Sequence, residues 1–92
     1  MGLESVEIVL ALEETFDIKF PRWIPNFPRT VQGLEDFVLQ LRTEQLPEAV
    51  CASVEDEEVR AVVRATIAKE LAIDTALVIP EATLVGDLGM DA

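Results

Sequence analysis

The sequence predicts an all-α fold, a small bundle of three or four helices formed by a single domain of 92 residues. Three observations support this prediction. Apolar residues recur at the three- and four-residue spacing of amphipathic helices in three separate segments. No segment shows the alternation of apolar and polar residues that is typical of a strand. Half of the residues are hydrophobic, which is enough for a folded core and argues against a disordered chain.

The net charge and the residue types that the chain lacks exclude several classes of function. Seven Lys and Arg against 18 Asp and Glu give a net charge of −11 at pH 7, so we expect basic protein partners and neither nucleic acid nor a membrane surface. The chain has no His, and no Asp-x-Asp-x-Asp spacing for cations, so we expect no enzyme, no catalytic residues and no metal ligands. The single Cys51 and the lack of a leader pattern favour the reducing cytoplasm.

The first segment, residues 3–16, is predicted to be a helix with two apolar stripes. Ile8, Leu12 and Phe16 follow at four-residue intervals and form a stripe that faces the core. A second stripe lies beside it, formed by Leu3, Val6 and Leu10. Acidic residues fill the rest of the surface: Glu4, Glu7, Glu13 and Glu14. A helix of a small bundle needs one buried stripe, so the second stripe is either additional core or a contact surface.

Prolines separate this helix from the next one. Pro25 and Pro28 exclude a long regular helix in residues 17–29, where we expect apolar side chains to cover the core, namely Trp23, Ile24 and Phe27. Thr30 is a suitable N-cap for a helix that ends near Arg42. The apolar stripe of that helix consists of Leu34, Phe37, Val38 and Leu41.

The second half of the chain is predicted to contain a linker, a helix and a loop. Residues 43–54 have no apolar period and are interpreted as a linker. Ser53 and Asp56 resemble a capping box for a helix to Leu71. Its stripe consists of Val59, Val62, Val63, Ile67 and Leu71, with an intrahelical ion pair of Asp56 and Arg60. The tail is expected to be a loop with turns at Gly86 and Gly89, anchored by Leu77, Ile79, Leu84, Val85 and Leu88.

Both ends of the chain resemble parts of one motif, that of the acyl carrier proteins. In this family the stretch Asp-Leu-Gly-x-Asp-Ser-Leu opens the second helix, and its serine carries 4′-phosphopantetheine. Residues 87–91, Asp-Leu-Gly-Met-Asp, are similar to the part before the serine, and residues 3–7, Leu-Glu-Ser-Val-Glu, to the part after it. Residues 58–71 resemble the first helix of the family, residues 73–85 its long loop, and residues 30–32 the start of its last helix.

The order of these parts is rearranged. The second half of the family occupies residues 2–42 and its first half residues 55–92, and residues 43–54 join them. The order resembles a circular permutation at the attachment site, which is feasible because the termini of compact domains often lie close together at the surface. A permuted chain and a segment spanning two tandem carriers are both possible origins. The assembly is either a monomer or a domain-swapped dimer.

The resemblance implies a carrier of fatty acid, polyketide or specialised lipid biosynthesis, which holds acyl groups as phosphopantetheine thioesters. The attachment motif would include Asp91, Ala92, Gly2 and Leu3, but neither Ala92 nor Gly2 supplies the hydroxyl that the family uses. We therefore expect no phosphopantetheine on this chain, with Ser5, one turn into the helix, as the alternative hydroxyl. The alternative function is a non-loadable structural or interaction domain, a permuted or domain-swapped carrier scaffold.

The resemblance also implies partners. In this family the acidic second helix binds basic patches on phosphopantetheinyl transferase and on acyl-transferring or acyl-processing enzymes. The matching partner-binding residues here are Glu4, Val6, Glu7, Leu10, Glu13 and Glu14. Residues 22–28, Arg-Trp-Ile-Pro-Asn-Phe-Pro, depart from the family because its third helix is usually acidic. This departure removes negative charge from part of the expected docking face.

Overall fold

The computed structural model describes residues 3–21 and 27–90, with side chains from residue 6 onward. Within these ranges the elements are four α-helices and no strand: α1 (Leu3–Phe16), α2 (Val31–Gln45), α3 (Glu48–Ala52) and α4 (Asp56–Leu71). A 3₁₀ turn follows at Thr75–Leu77, and the tail beyond it is irregular. The prediction of a small all-α bundle is therefore confirmed.

Helix α4 is central, since α1 and α2 each pack against it. The predicted apolar stripes converge there and form the helical part of the core, which consists of Ile8, Leu12, Val31, Leu34, Val38, Leu41, Val59, Val63, Ile67 and Ala68. The connecting segments add Ile18, Phe20, Val78, Ala82, Leu84, Leu88 and Met90. Each large side chain that is fully buried here contributes roughly 1.5–3 kcal/mol relative to exposure. The prediction is wrong for Val62, which was placed in the α4 stripe but is 38% exposed.

The start of α2 is tied to the tail of the chain. Thr30 is the N-cap as predicted, and its Oγ1 accepts a hydrogen bond from the amide of Gly33 at 3.0 Å. The next two amides, of Val31 and Gln32, donate to carbonyls of the tail at 3.0 Å, and the amide of Leu84 donates back to the carbonyl of Arg29 at 2.8 Å. The tail thus satisfies donors that a helix cannot satisfy within its own first turn.

The predicted linker is partly helical. Helix α2 continues beyond Arg42 to Gln45, and α3 occupies five residues of the remainder. Pro47 is compatible with this because it precedes α3, where its missing N–H is not needed, and its carbonyl accepts bonds from the amides of Val50 and Cys51. A helix of five residues is too short to show an apolar period, which is why the pattern missed it.

The predicted capping box at the start of α4 is wrong. The N-cap is Glu55, without a side-chain hydrogen bond, and the hydroxyl of Ser53 donates to the carbonyl of Val50 at 2.7 Å. Ser53 is therefore the C-cap of α3 and not the N-cap of α4. The acidic first turn of α4 still favours the positive end of the helix dipole.

The tail is anchored by fewer of the predicted residues than expected. Leu84 and Leu88 are buried, whereas the prediction is wrong for Leu77, Ile79 and Val85, which are 58%, 48% and 51% exposed. Val78, which directly follows the 3₁₀ turn and lies between two of these, is 2% exposed and belongs to the core instead. Gly86 lies in a turn of residues 84–88 as predicted, and Gly89, directly after this turn, has a φ of 74°, which favours glycine.

An ionic network joins α2 and α4 where the sequence suggested a pair within α4. Glu35 is 1% exposed, and its two carboxylate oxygens accept from Arg60 Nη1 at 3.0 Å and Arg64 Nε at 2.8 Å. Arg60 Nη2 also donates to Asp36 at 2.7 Å, so its guanidinium bonds to α2 and the predicted pair with Asp56 does not form. The bonds to Asp36 and Glu35 raise the pKa of Arg60 above its ordinary value.

Candidate functional site

The outward side of α1 exposes apolar residues that lie next to acidic ones. Ile8 and Leu12 are buried, but Val6 and Leu10 of the second stripe are 54% and 53% exposed. This stripe is therefore a surface and not additional core. The side chain of Leu3, its remaining member, lies outside the described part of the helix.

The acidic residues of α1 divide into two groups. Glu7 and Glu14 are exposed and, by helical geometry, lie on the same side as Val6 and Leu10. These four residues are called the α1 face below. Glu13 is half-buried, and its Oε2 accepts from the amide of Phe20 at 2.7 Å, which fixes the chain after the helix. The side chain of Glu4 is not among those described.

The α1 face continues into a groove at the end of the helix. Asp17 ends α1 with a φ of 55°, a conformation that aspartate tolerates better than most residues. Lys19 follows, and Gln45 of α2 holds its backbone through two hydrogen bonds of 2.7 Å. The groove, of about 530 Å³, is lined by Leu10, Glu13, Glu14, Asp17, Ile18 and Lys19. The face and the groove thus combine carboxylates with exposed apolar surface.

The expected attachment motif is described only in part. Asp91, Ala92 and Gly2 lie outside the described residues, and Leu3 and Ser5 are placed in α1 by their backbone alone. Upstream of Asp91, Thr83 and Asp87 form two hydrogen bonds with each other. Asp87 Oδ2 accepts from the Thr83 amide, and Thr83 Oγ1 accepts from the Asp87 amide, both at 2.9 Å. These bonds hold the turn that leads into the motif.

An apolar cavity lies beside this turn, and sequence reasoning missed it. It measures about 510 Å³ and is lined by Phe27, Pro28, Arg29, Thr83, Leu84, Val85 and Met90. Phe27 packs partly against the core as expected, but it also forms one wall of the cavity. The two segments that form it are more than 50 residues apart in the sequence. No local pattern could have indicated that they meet.

The described residues offer a binding surface. Carboxylates of the α1 face can accept hydrogen bonds from Arg or Lys of a partner, while Val6 and Leu10 lose contact with water. Among the described residues, no three His, Cys, Asp or Glu side chains form a group that could hold a metal ion. Within the same part of the chain, no helix has both the length and the apolar character needed to cross a membrane.

Comparison with known proteins gave no match. No protein-family model fits the chain, and neither a curated protein nor a solved structure shows significant similarity to it.

Proposed function

We propose that this protein is a carrier-type binding domain, similar in function to the acyl carrier proteins, whose α1 face binds basic surfaces of acyl-processing enzymes. One observation carries the proposal: Val6 and Leu10, each more than half exposed, lie beside the exposed carboxylates of Glu7 and Glu14. A large apolar side chain that is exposed on a helix beside acidic residues is well suited to a transient partner.

The helix boundaries are compatible with a rearranged carrier order. Helix α4 covers the segment expected for the first helix, and an irregular tail follows it as the long loop would. Helix α2 starts after Thr30, where the last helix is expected. Helix α1 starts at Leu3, where the second helix would resume after its interrupted motif.

Long-range attraction and local contact would act in sequence during docking. The net charge of −11 attracts a basic partner over about 10 Å at 0.1 M ionic strength and raises the rate of encounter. At contact, Val6 and Leu10 pack against the partner surface, and this packing determines the lifetime of the complex. The half-buried Glu13 keeps the end of α1 in place, so its contribution is to position the face.

A docking experiment tests the face. Glu7→Gln with Glu14→Gln should weaken binding to a broad-specificity phosphopantetheinyl transferase about 3- to 10-fold at low salt, since an exposed charge pair is worth up to about 1 kcal/mol. The matched control is Glu44→Gln with Glu48→Gln, which removes two exposed acids from α2 and α3. The difference should disappear near 1 M salt, where the Debye length is about 3 Å. Equal weakening by the control pair would contradict the proposal.

Loading is tested separately by intact mass after incubation with coenzyme A, Mg²⁺ and the transferase. We expect no gain, because the position of the family serine holds Ala92 or Gly2. Docking without loading is therefore the result that the proposal predicts, and the absence of both would favour the alternative, a structural domain. A gain of one phosphopantetheine that Ser5→Ala abolishes would assign the group to Ser5. Solution mass as a function of concentration distinguishes a monomer from a domain-swapped dimer.

A further inference from the structure

A second groove lies where the ends of α1 and α2 meet α3 and the start of α4. Its volume is about 450 Å³. Its apolar walls come from α1, α3, α4 and the turns on either side of α3, and consist of Phe16, Leu46, Pro47, Val50, Val54 and Val62. Val50 and Val62 are 44% and 38% exposed, so the walls are open to a ligand. None of these residues belongs to the α1 face.

The groove contains one buried cation, Arg42. Its side chain is among the few buried charged ones, with the residue 6% exposed. Its Nε has no hydrogen-bond partner, and no described carboxylate lies within the 4.0 Å at which Glu35 and Asp36 pair with arginines. The guanidinium carbon lies 5.8 Å from the centre of the Phe16 ring, which offers a partial negative charge only.

This isolation distinguishes Arg42 from the two arginines of α4. Arg60 and Arg64 both donate to Glu35, so their charges are compensated within the bundle. The carbonyl of Arg42 is satisfied by the Leu46 amide at 2.9 Å and the Cys51 thiol at 3.2 Å, whereas its side-chain Nε lacks a partner. A buried charge without a partner is costly, and an anion that reached it would remove that cost.

We propose that the groove binds a small molecule with a single carboxylate on an apolar body. A guanidinium bonds a carboxylate through two parallel N–H donors, and Arg42 is the arginine that lines this groove. The apolar walls would cover the body of the ligand. Asp17 lines the same groove, and the chain carries a net charge of −11, so a ligand with several negative charges is repelled. The proposal goes beyond the carrier function and does not depend on it.

The first test compares ligands on the unaltered protein. Octanoate, octanol and acetate are titrated into ¹⁵N-labelled protein while the Arg42 Nε–H signal and the amides of Val50, Val54 and Val62 are followed by NMR. We expect octanoate to shift these signals and to bind at least about 10-fold more tightly than octanol, which lacks the charge. Acetate, which lacks the apolar body, should not bind. Equal affinity for octanoate and octanol would overturn the proposal.

The second test removes the cation. Arg42→Gln should weaken octanoate binding at least about 10-fold and leave octanol binding unchanged. Arg29→Gln, at an exposed arginine outside this groove, is the matched control and should change neither affinity. Unchanged octanoate affinity in a folded Arg42→Gln variant would overturn the proposal, as would octanoate shifts confined to Leu84 and Met90 in the other cavity. If the variant does not fold, the ligand comparison on the unaltered protein decides.

Discussion

At the scale of single residues, Glu35 is the most deeply buried charged side chain among the described residues. It is 1% exposed, and both of its oxygens bond to arginines of α4. We predict that Glu35→Gln destabilises the protein by about 2 kcal/mol, because the amide oxygen can accept from one arginine only and the amide nitrogen, itself a donor, faces the other. Urea unfolding measures this. Glu44→Gln, at an exposed position of the same helix, should change stability by less than about 0.5 kcal/mol, and equal effects would refute the assignment.

The network of Glu35 should not be sensitive to alkaline pH below the ordinary pKa of arginine. The pKa of Arg60 is raised in the folded protein, first by its bond to Asp36 and then by its bond to Glu35. A raised pKa adds stability that is complete below the unfolded-state pKa and is lost only as the pH passes the folded-state pKa. The Arg60 contribution is therefore constant across the neutral range. Substitution is the means of testing it.

Ala72 offers a second test at residue scale. It ends α4 with a φ of 56°, the left-handed conformation that favours glycine. We predict that Ala72→Gly stabilises the protein by about 0.5–1 kcal/mol, because the strain of a Cβ in this conformation is removed. Ala65→Gly, at an exposed position within α4, should destabilise it by about 1 kcal/mol. Thermal unfolding of both variants shows whether each one raises or lowers the melting temperature. A lower melting temperature for Ala72→Gly as well as for Ala65→Gly would contradict the prediction.

At the scale of elements, one side of α1 packs into the core and the opposite side forms the proposed docking face. Leu12 is fully buried, whereas Leu10 is 53% exposed. We predict that Leu12→Ala costs about 2–5 kcal/mol of stability, while Leu10→Gln changes it by less than about 0.5 kcal/mol. Chemical unfolding and binding to the transferase separate the two effects, because Leu10→Gln should weaken binding only. A large loss of stability from Leu10→Gln would show that this stripe is core.

The long helices could be predicted from the sequence because their buried apolar residues recur at a regular spacing. Apolar residues recur at helical spacing over four turns in both α2 and α4. Both helices were therefore predicted, with Thr30 as the N-cap of α2. Helix α3 has no such period because it is too short. The tail was predicted as a loop, and two of its five predicted anchors, Leu84 and Leu88, are buried. The other three were wrong, since a segment without a regular repeat gives no sign of which residues face the core.

At the scale of the whole molecule, the excess of negative charge opposes the compact state. A net charge of −11 on a chain of 92 residues produces repulsion that dissolved salt screens. We predict that the melting temperature rises as ionic strength increases from about 0.01 to 0.15 M, over which the Debye length falls from about 30 to 8 Å. Differential scanning calorimetry in NaCl and KCl checks this, and both salts should act equally. A fall would mean that screened surface ion pairs dominate.

The candidate sites also differ in how much the sequence could indicate. Both stripes of α1 were visible in the sequence, yet whether the second was core or surface depended on where α4 lies. The Arg42 groove was not predictable, since its walls come from all four helices and the cation itself is part of an ordinary last helical turn. Tertiary arrangement alone separates Arg42 from Arg60 and Arg64.

The bonds between the start of α2 and the tail connect distant parts of the chain. Thr30 and Thr83 form an antiparallel bridge, flanked by bonds from Val31 to Ala82 and from Leu84 to Arg29. These bonds close a loop of more than 50 residues that contains α2, α3 and α4. Closing so long a loop carries an entropy cost, so we expect the bridge between Thr30 and Thr83 to form late in folding. The amides of Val31 and Leu84 therefore exchange with deuterium whenever the tail detaches, and their rates report that opening separately from loss of the bundle.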